Sequence, residues 1–212
     1  MASPLYDAAS VRFSRMIEDP VAAAATDGDQ FTSAYRDVCL NAGIRRLMLR
    51  FAPQEPPGVA PFMLNDDFFR SYLVTEAQAL VASVKALTGW TGGVFGILSV
   101  YNVTDEQIVY PSPNSFREEL HTSNNIYYIA STGQQRYTVN AGLFTLFGGT
   151  ATSSIRLTYI KQHTAMSAGA SSDWLIAPQY EDMVLDEAFK VYAEENPSQE
   201  NVVRMQLVGK NA

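Results

Sequence analysis

The stretch that most constrains this chain is WLIAPQYEDMVLDEAFKVYAEE, Trp174 to Glu195, because the start, buried face and end of a helix can all be read from it. Pro178 suits a first helical position, where its missing N–H would have no partner in any case. Glu181 and Asp182 follow in the first turn, where negative charge is favoured by the helix dipole. Tyr180, Val184, Ala188, Val191 and Tyr192 recur at helical spacing, opposite Glu181, Asp186, Glu187 and Lys190, so one apolar stripe is available for packing. Asn196-Pro197 ends the helix, since a residue before proline is pushed out of the α region.

Upstream, the spacing predicts three more helices. Ser3-Pro4 opens the first, about residues 3–18, whose stripe is Leu5, Ala9, Phe13, Met16 and Ile17 before the stop at Asp19-Pro20. The second, about 29–51, is capped by Asp27 or Asp29 and carries Phe31, Tyr35, Val38 and Ala42. Gly43 lies inside it at a cost on the order of 1 kcal/mol relative to Ala, for which close helix packing is the natural reason. The proline-rich loop Pro53 to Pro61 reads as a connection within one helical bundle, with a domain linker as the other reading. Asn65 then caps a third helix, about 65–88, through Phe69, Tyr72, Leu73, Leu80, Val84 and Leu87.

After GWTGG the period changes. Val94–Val103, Gln107–Tyr110, Ile126–Ser131, Arg136–Val139, Leu143–Phe147 and Ile155–Gln162 read as short antiparallel strands, with a capping box at Ser115 and Glu118 opening a short helix. The expected fold is therefore α+β: a bundle of about four helices, with a small antiparallel sheet or hairpin region over about 93–163 inserted in it. Residues 1–195 form a single domain, and 196–212 an extended C-terminal tail.

Composition limits the chemistry. Charged residues make up 17% of the 212, against about 25% in ordinary soluble domains, and the net charge is −7. That balance argues against a protein built to coat nucleic acid. Arg45, Arg46 and Arg50 lie close together, and read either as a local basic patch or as a solvated helix face. Cys39 has no partner within the chain and reads as a small buried hydrophobe. No stretch reaches the ~18 apolar residues of a membrane span, and the first residues lack the pattern of a secretory signal, so the Asn102 sequon is expected to be idle.

His121 and His163 are the only histidines, and neither sits in a metal-ligand spacing. No serine lies in a nucleophile elbow. Gly89, Gly92, Gly93 and Gly96 lack the Lys-Ser/Thr of a phosphate loop and read as a turn, while Asp27-Gly28-Asp29 lacks the further carboxylates of a calcium loop. The pairs Asp66-Asp67, Glu118-Glu119 and Glu181-Asp182 all fall at helix starts, where the dipole accounts for them. No catalytic residue, metal ligand or cofactor is assigned, and the chain is read as no enzyme.

One ordered set of segments resembles a known family. The strand to Val103, PSPNSFREEL, NIYYIASTGQ, the LFTLFGG turn, an Arg-x-x-Tyr strand at Ile155–Tyr159, and the apolar-Pro-x-Tyr start of the last helix at Ile176–Tyr180 look like the head-to-tail adaptor, or connector, proteins of tailed phages. The likeness covers about Val94 to Glu195, and more loosely Asp27 to Phe51. It implies a structural virion protein of the neck, made in the host cytoplasm. Its partners would be copies of itself in a closed ring, twelve-fold in the family, the portal, a tail or nozzle protein, and DNA passing through the lumen without specific binding. The lumen wall is expected to be acidic or neutral, and no membrane is involved.

The other readings are a tail-completion or nozzle subunit, and a carbohydrate-binding module suggested by Trp90, Trp174 and the tyrosines. In the tail, Val203, Met205 and Leu207 alternate with Val202, Arg204, Gln206 and Val208, a period of two that suits an added strand. The resemblance implies that this segment, Asn201 to Lys210, docks on the portal, with Val203, Arg204, Met205 and Leu207 as candidate portal contacts; a disordered or self-packed tail is the other reading.

Overall fold

The computed structural model describes residues 4–17, 32–52, 66–112, 135–167, 174–198 and 201. The chain divides into two compact units: Met1–Ala52 with His163–Ala212, and Pro53–Gln162.

The first unit is helical. Helix α1 runs Pro4–Met16, α2 Ser33–Phe51 and α3 Glu181–Glu195, the last entered through a 3₁₀ turn at Pro178–Tyr180. α2 begins later than expected: Thr32, and neither Asp27 nor Asp29, is its N-cap, with Oγ1 accepting from the Tyr35 N–H at 3.3 Å. The two aspartates lie outside the described residues. The core is a set of stripes, namely Tyr6, Ala9 and Phe13 of α1, Leu40, Ile44, Leu47 and Met48 of α2, and Val184, Leu185, Ala188 and Phe189 of α3.

Gly43 explains why α2 and α3 pack so closely. A Cβ built there would fall 2.7 Å from Ala188 N and 2.8 Å from Val184 O, so only a glycine lets the two backbones meet. Their ends are tied antiparallel. Tyr35 gives its hydroxyl hydrogen to Glu195 at 2.7 Å, Arg46 pairs with Glu194, and the Phe51 and Tyr180 rings meet edge-on at 6.0 Å. α1 joins through Arg12, whose guanidinium takes both Glu181 and Asp182 at the start of α3.

The second unit is where the sequence reading fails. The expected helix over 65–88 is a single turn, Asp66–Phe69, a 3₁₀ turn, Arg70–Tyr72, and two strands, β1 at Leu73–Ala79 and β2 at Val84–Ala86. Six further strands follow: β3 Val94–Asn102, β4 Gln107–Ile108, β5 Tyr110–Pro111, β6 Arg136–Asn140, β7 Leu143–Phe147 and β8 Ser154–Lys161. They form two four-stranded sheets, ordered β1-β8-β3-β4 and β2-β7-β6-β5. The molecule is thus α+β and mostly sheet, with three substantial helices among the described residues, and not a four-helix bundle with a small insert.

The two sheets close on one core. Trp90, Val94, Val100, Tyr137, Phe144, Leu146, Ile155, Leu157 and Tyr159 meet there, with the Tyr137 and Phe144 rings stacked at 5.3 Å. The alternation that announced β3, β6, β7 and β8 is the inward face of these strands. β1 hid because its inward row is Val74, Glu76, Gln78 and then Leu80, with two polar residues where apolar ones are expected. Glu76 is accommodated by Thr91, fifteen residues on, whose N–H and hydroxyl donate to it at 2.9 and 2.6 Å.

The turn after β1 was equally silent. Ala82 and Ser83 both have positive φ, 51° and 64°, between the bridged pair Val81 and Val84, and neither is the Gly, Asn or Asp that such a turn favours. The capping box at Ser115 and the strand at Ile126–Ser131 lie outside the described residues.

Candidate assembly surfaces

Unit by unit, the uncovered apolar side chains define the surfaces available to a partner. On the outer side of α2, Val38 is 56% and Leu49 61% exposed, and Arg45 lies on the same face. On the β unit, Leu73, Val81, Ile108, Tyr110 and Leu143 are exposed, and every one lies on a sheet edge or beside a turn. Scattered apolar residues are ordinary on a surface; their concentration at strand edges is what gives these positions meaning.

The arginine cluster resolves toward the solvated-face reading. Arg46 is paired with Glu194, whose carboxyl is held below its ordinary range chiefly by that hydrogen bond, and Arg50 lies 3.8 Å from Glu187. Arg45 is exposed. Two of the three positive charges therefore face acids of α3 and do not add to a phosphate-binding patch. An open cleft of about 380 Å³ lies near the other end of the helical unit, lined by Arg12, Arg15, Met16, Asp182, Leu185 and Asp186. Burial, with Asp182 and Glu187 nearby, raises the Asp186 carboxyl.

The residues singled out for chemistry take structural places. Burial pushes the Cys39 thiol up to about 11, so it is a poor nucleophile. His163 is largely buried, and burial with the charge of Arg45 pushes it down to about 4. Its Nε2 lies 2.8 Å from Asn41 Oδ1, which also accepts from the Met166 N–H, so Nε2 carries the proton. Asn41 in turn donates through Nδ2 to Met166 O at 2.7 Å, clamping residues 163–166 to α2.

Asn102 of the sequon is fully buried. Its amide donates to Asp105 and Gln135, and its oxygen accepts from the Thr104 and Asp105 N–H groups, so it is a turn-building residue closed to a glycan. Gly92 and Gly93 have positive φ in the turn before β3, as the turn reading required. His121 lies outside the described residues.

Among the described residues, no three His, Cys, Asp or Glu side chains gather closely enough to hold a metal ion, and no helix is long and apolar enough to cross a membrane. Val203, Arg204, Met205 and Leu207 lie outside the described residues, so the structure brings none of the candidate portal contacts together. Asn201, just before them, is helical, and its N–H bonds to Ser198 Oγ at 3.0 Å. The positions that sequence reasoning missed are Leu73 and Val81 at the ends of β1. Their signal was the period of two from Leu73 to Ala79, which the alanines disguised as a helix. Comparison of the chain with family models and with curated proteins finds no match.

Proposed function

We propose that this chain is the subunit of a ring that joins the portal to the tail of a phage virion, with DNA passing through its lumen. The observation that carries the reading is the arrangement of the helical unit. α2 and α3 close on each other through Gly43, and the β-rich segment Pro53–Gln162 leaves after α2 and returns before α3. This is the order of helix, strands and Tyr-bearing last helix on which the resemblance to the adaptor family rests.

The uncovered Val38 and Leu49 on α2, in a chain with few charges, are the kind of surface that copies of one protein bury against one another. A contact between two different patches repeats head to tail and closes into a ring when the rotation allows, twelve-fold in the family. The portal, and a tail or nozzle protein, would flank that ring. The test is electron microscopy of the purified chain, alone and with portal-bearing heads, with the mass of the assembled species. Closed rings that bind the heads are expected; a chain that stays monomeric and leaves heads unoccupied overturns the reading.

A further inference from the structure

Among the described residues, strand β1 is an open edge of its sheet, and it lacks most of the devices by which such edges are protected. Over Leu73–Ala79 it pairs with β8 without a bulge, and it contains no lysine, arginine or proline. Its one charge, Glu76, points inward, a placement that guards an edge when a second strand would leave the carboxylate bare, but here Thr91 and Gln78 Nε2, at 2.8 Å, already satisfy it. The open side can be identified. The Leu80 N–H donates to Ser153 O on the β8 side, so by alternation Val74, Glu76 and Gln78 bond to β8, while Leu73, Thr75, Ala77 and Ala79 turn their N–H and C=O groups outward. These four are also the exposed residues of the strand, and three of them are small.

We propose that this edge pairs antiparallel with the β1 of a second copy, about a twofold axis at Ala77. The register follows from the side chains. With Ala77 opposite its own copy, Thr75 faces Ala79 and Glu76 faces Gln78, whose amide has a second hydrogen to give the partner's carboxylate. A shift one way sets Glu76 against Glu76, which like-charge repulsion disfavours, and a shift the other way sets it against the apolar Leu80. The outward groups of Thr75, Ala77 and Ala79 exchange both backbone bonds with their opposites, and no side chain in that row is large enough to obstruct the approach.

The ladder stops before Val81, because Val84 already takes both its N–H and its C=O at 3.1 and 3.0 Å. Leu73 of each copy then lies beside the Val81–Val84 corner of the other, covering the two most exposed apolar side chains at the ends of β1, 48% and 79%. This contact is twofold where ring closure is head to tail, so it stands or falls independently of the proposed function.

Three variants of the full chain test it, each at a solvent-exposed position and checked for native circular dichroism. Ala77→Cys should form a disulfide-linked dimer under mild oxidation, which Thr152→Cys at an exposed turn of the same unit should not; native Cys39 is buried and does not compete. Ala77→Lys sets two ammonium groups face to face and should weaken dimerisation in sedimentation equilibrium by at least ~10-fold. Equal crosslinking of the two cysteine variants, or an undiminished dimer in Ala77→Lys, would overturn the pairing. So would a chain monomeric at every concentration whose Ala77→Cys form does not crosslink.

Discussion

Gly43 concentrates much of the helical unit's geometry in one missing methyl group. Replacing it with alanine would raise local helix propensity by about 1 kcal/mol, yet the new Cβ would collide with backbone atoms of α3, which cannot swing aside as a side chain can. Gly43→Ala should therefore destabilise by about 2 kcal/mol net and lower the melting temperature by roughly 4–8 °C, read by calorimetry. His163 gives a second residue-scale expectation. Its ordinary value near 6.5 falls to about 4 on folding, so the unfolded chain binds the proton more readily. Stability from this group is complete above pH ~6.5, is lost as pH falls toward 4, and amounts to about 3 kcal/mol by then. Denaturant titrations should show His163→Gln, which keeps a donor near Asn41, losing less stability than the parent between pH 6.5 and 4; equal losses would assign the dependence to other groups.

At the scale of elements, the sequence announced what it could bury by a simple rule and hid what it buried by exception. α3 and strands β3, β6, β7 and β8 were legible because their inward faces are almost wholly apolar. β1 was not, because Glu76 and Gln78 occupy its inward row and depend on Thr91, a partner that no local window contains. The helical spacing seen through Leu73, Leu80, Val84 and Leu87 was a coincidence of an alanine-rich stretch spanning a strand, a turn and another strand. The surfaces were less legible still, since an open edge is a property of the sheet and not of any strand in it. The Ala82-Ser83 turn yields its own test: both residues hold a left-handed backbone that costs each about 1–2 kcal/mol. Ala82→Asn with Ser83→Gly should stabilise the protein by about 1–2 kcal/mol in chemical denaturation, because only backbone atoms of Ser83 bond to Ala151 and Leu146.

For the whole molecule, charge and assembly carry the expectations. With a net charge of −7 and two of the three clustered arginines facing glutamates, the purified chain should show no retention of duplex DNA at physiological salt. Retention measured by gel shift would remove the idea of a passive lumen. Deleting residues 198–212 should leave the circular dichroism spectrum and melting behaviour nearly intact, while attachment to portal-bearing heads is lost. Normal attachment of the shortened chain would move the portal contact elsewhere.

The place of the β unit within the chain also bears on how the protein comes into being on the ribosome. Residues Pro53–Gln162 are contiguous, so their two sheets can close as soon as the last of these strands has left the exit tunnel. The helical unit has no such freedom. α1 and α2 are synthesised first, yet the stripe of Leu40, Ile44 and Leu47 waits through the synthesis of more than a hundred residues for α3 to cover it. Folding during synthesis is therefore expected to start in Pro53–Gln162 and to reach α1 and α2 last, so protease applied to stalled nascent chains should cut α2 until α3 has emerged.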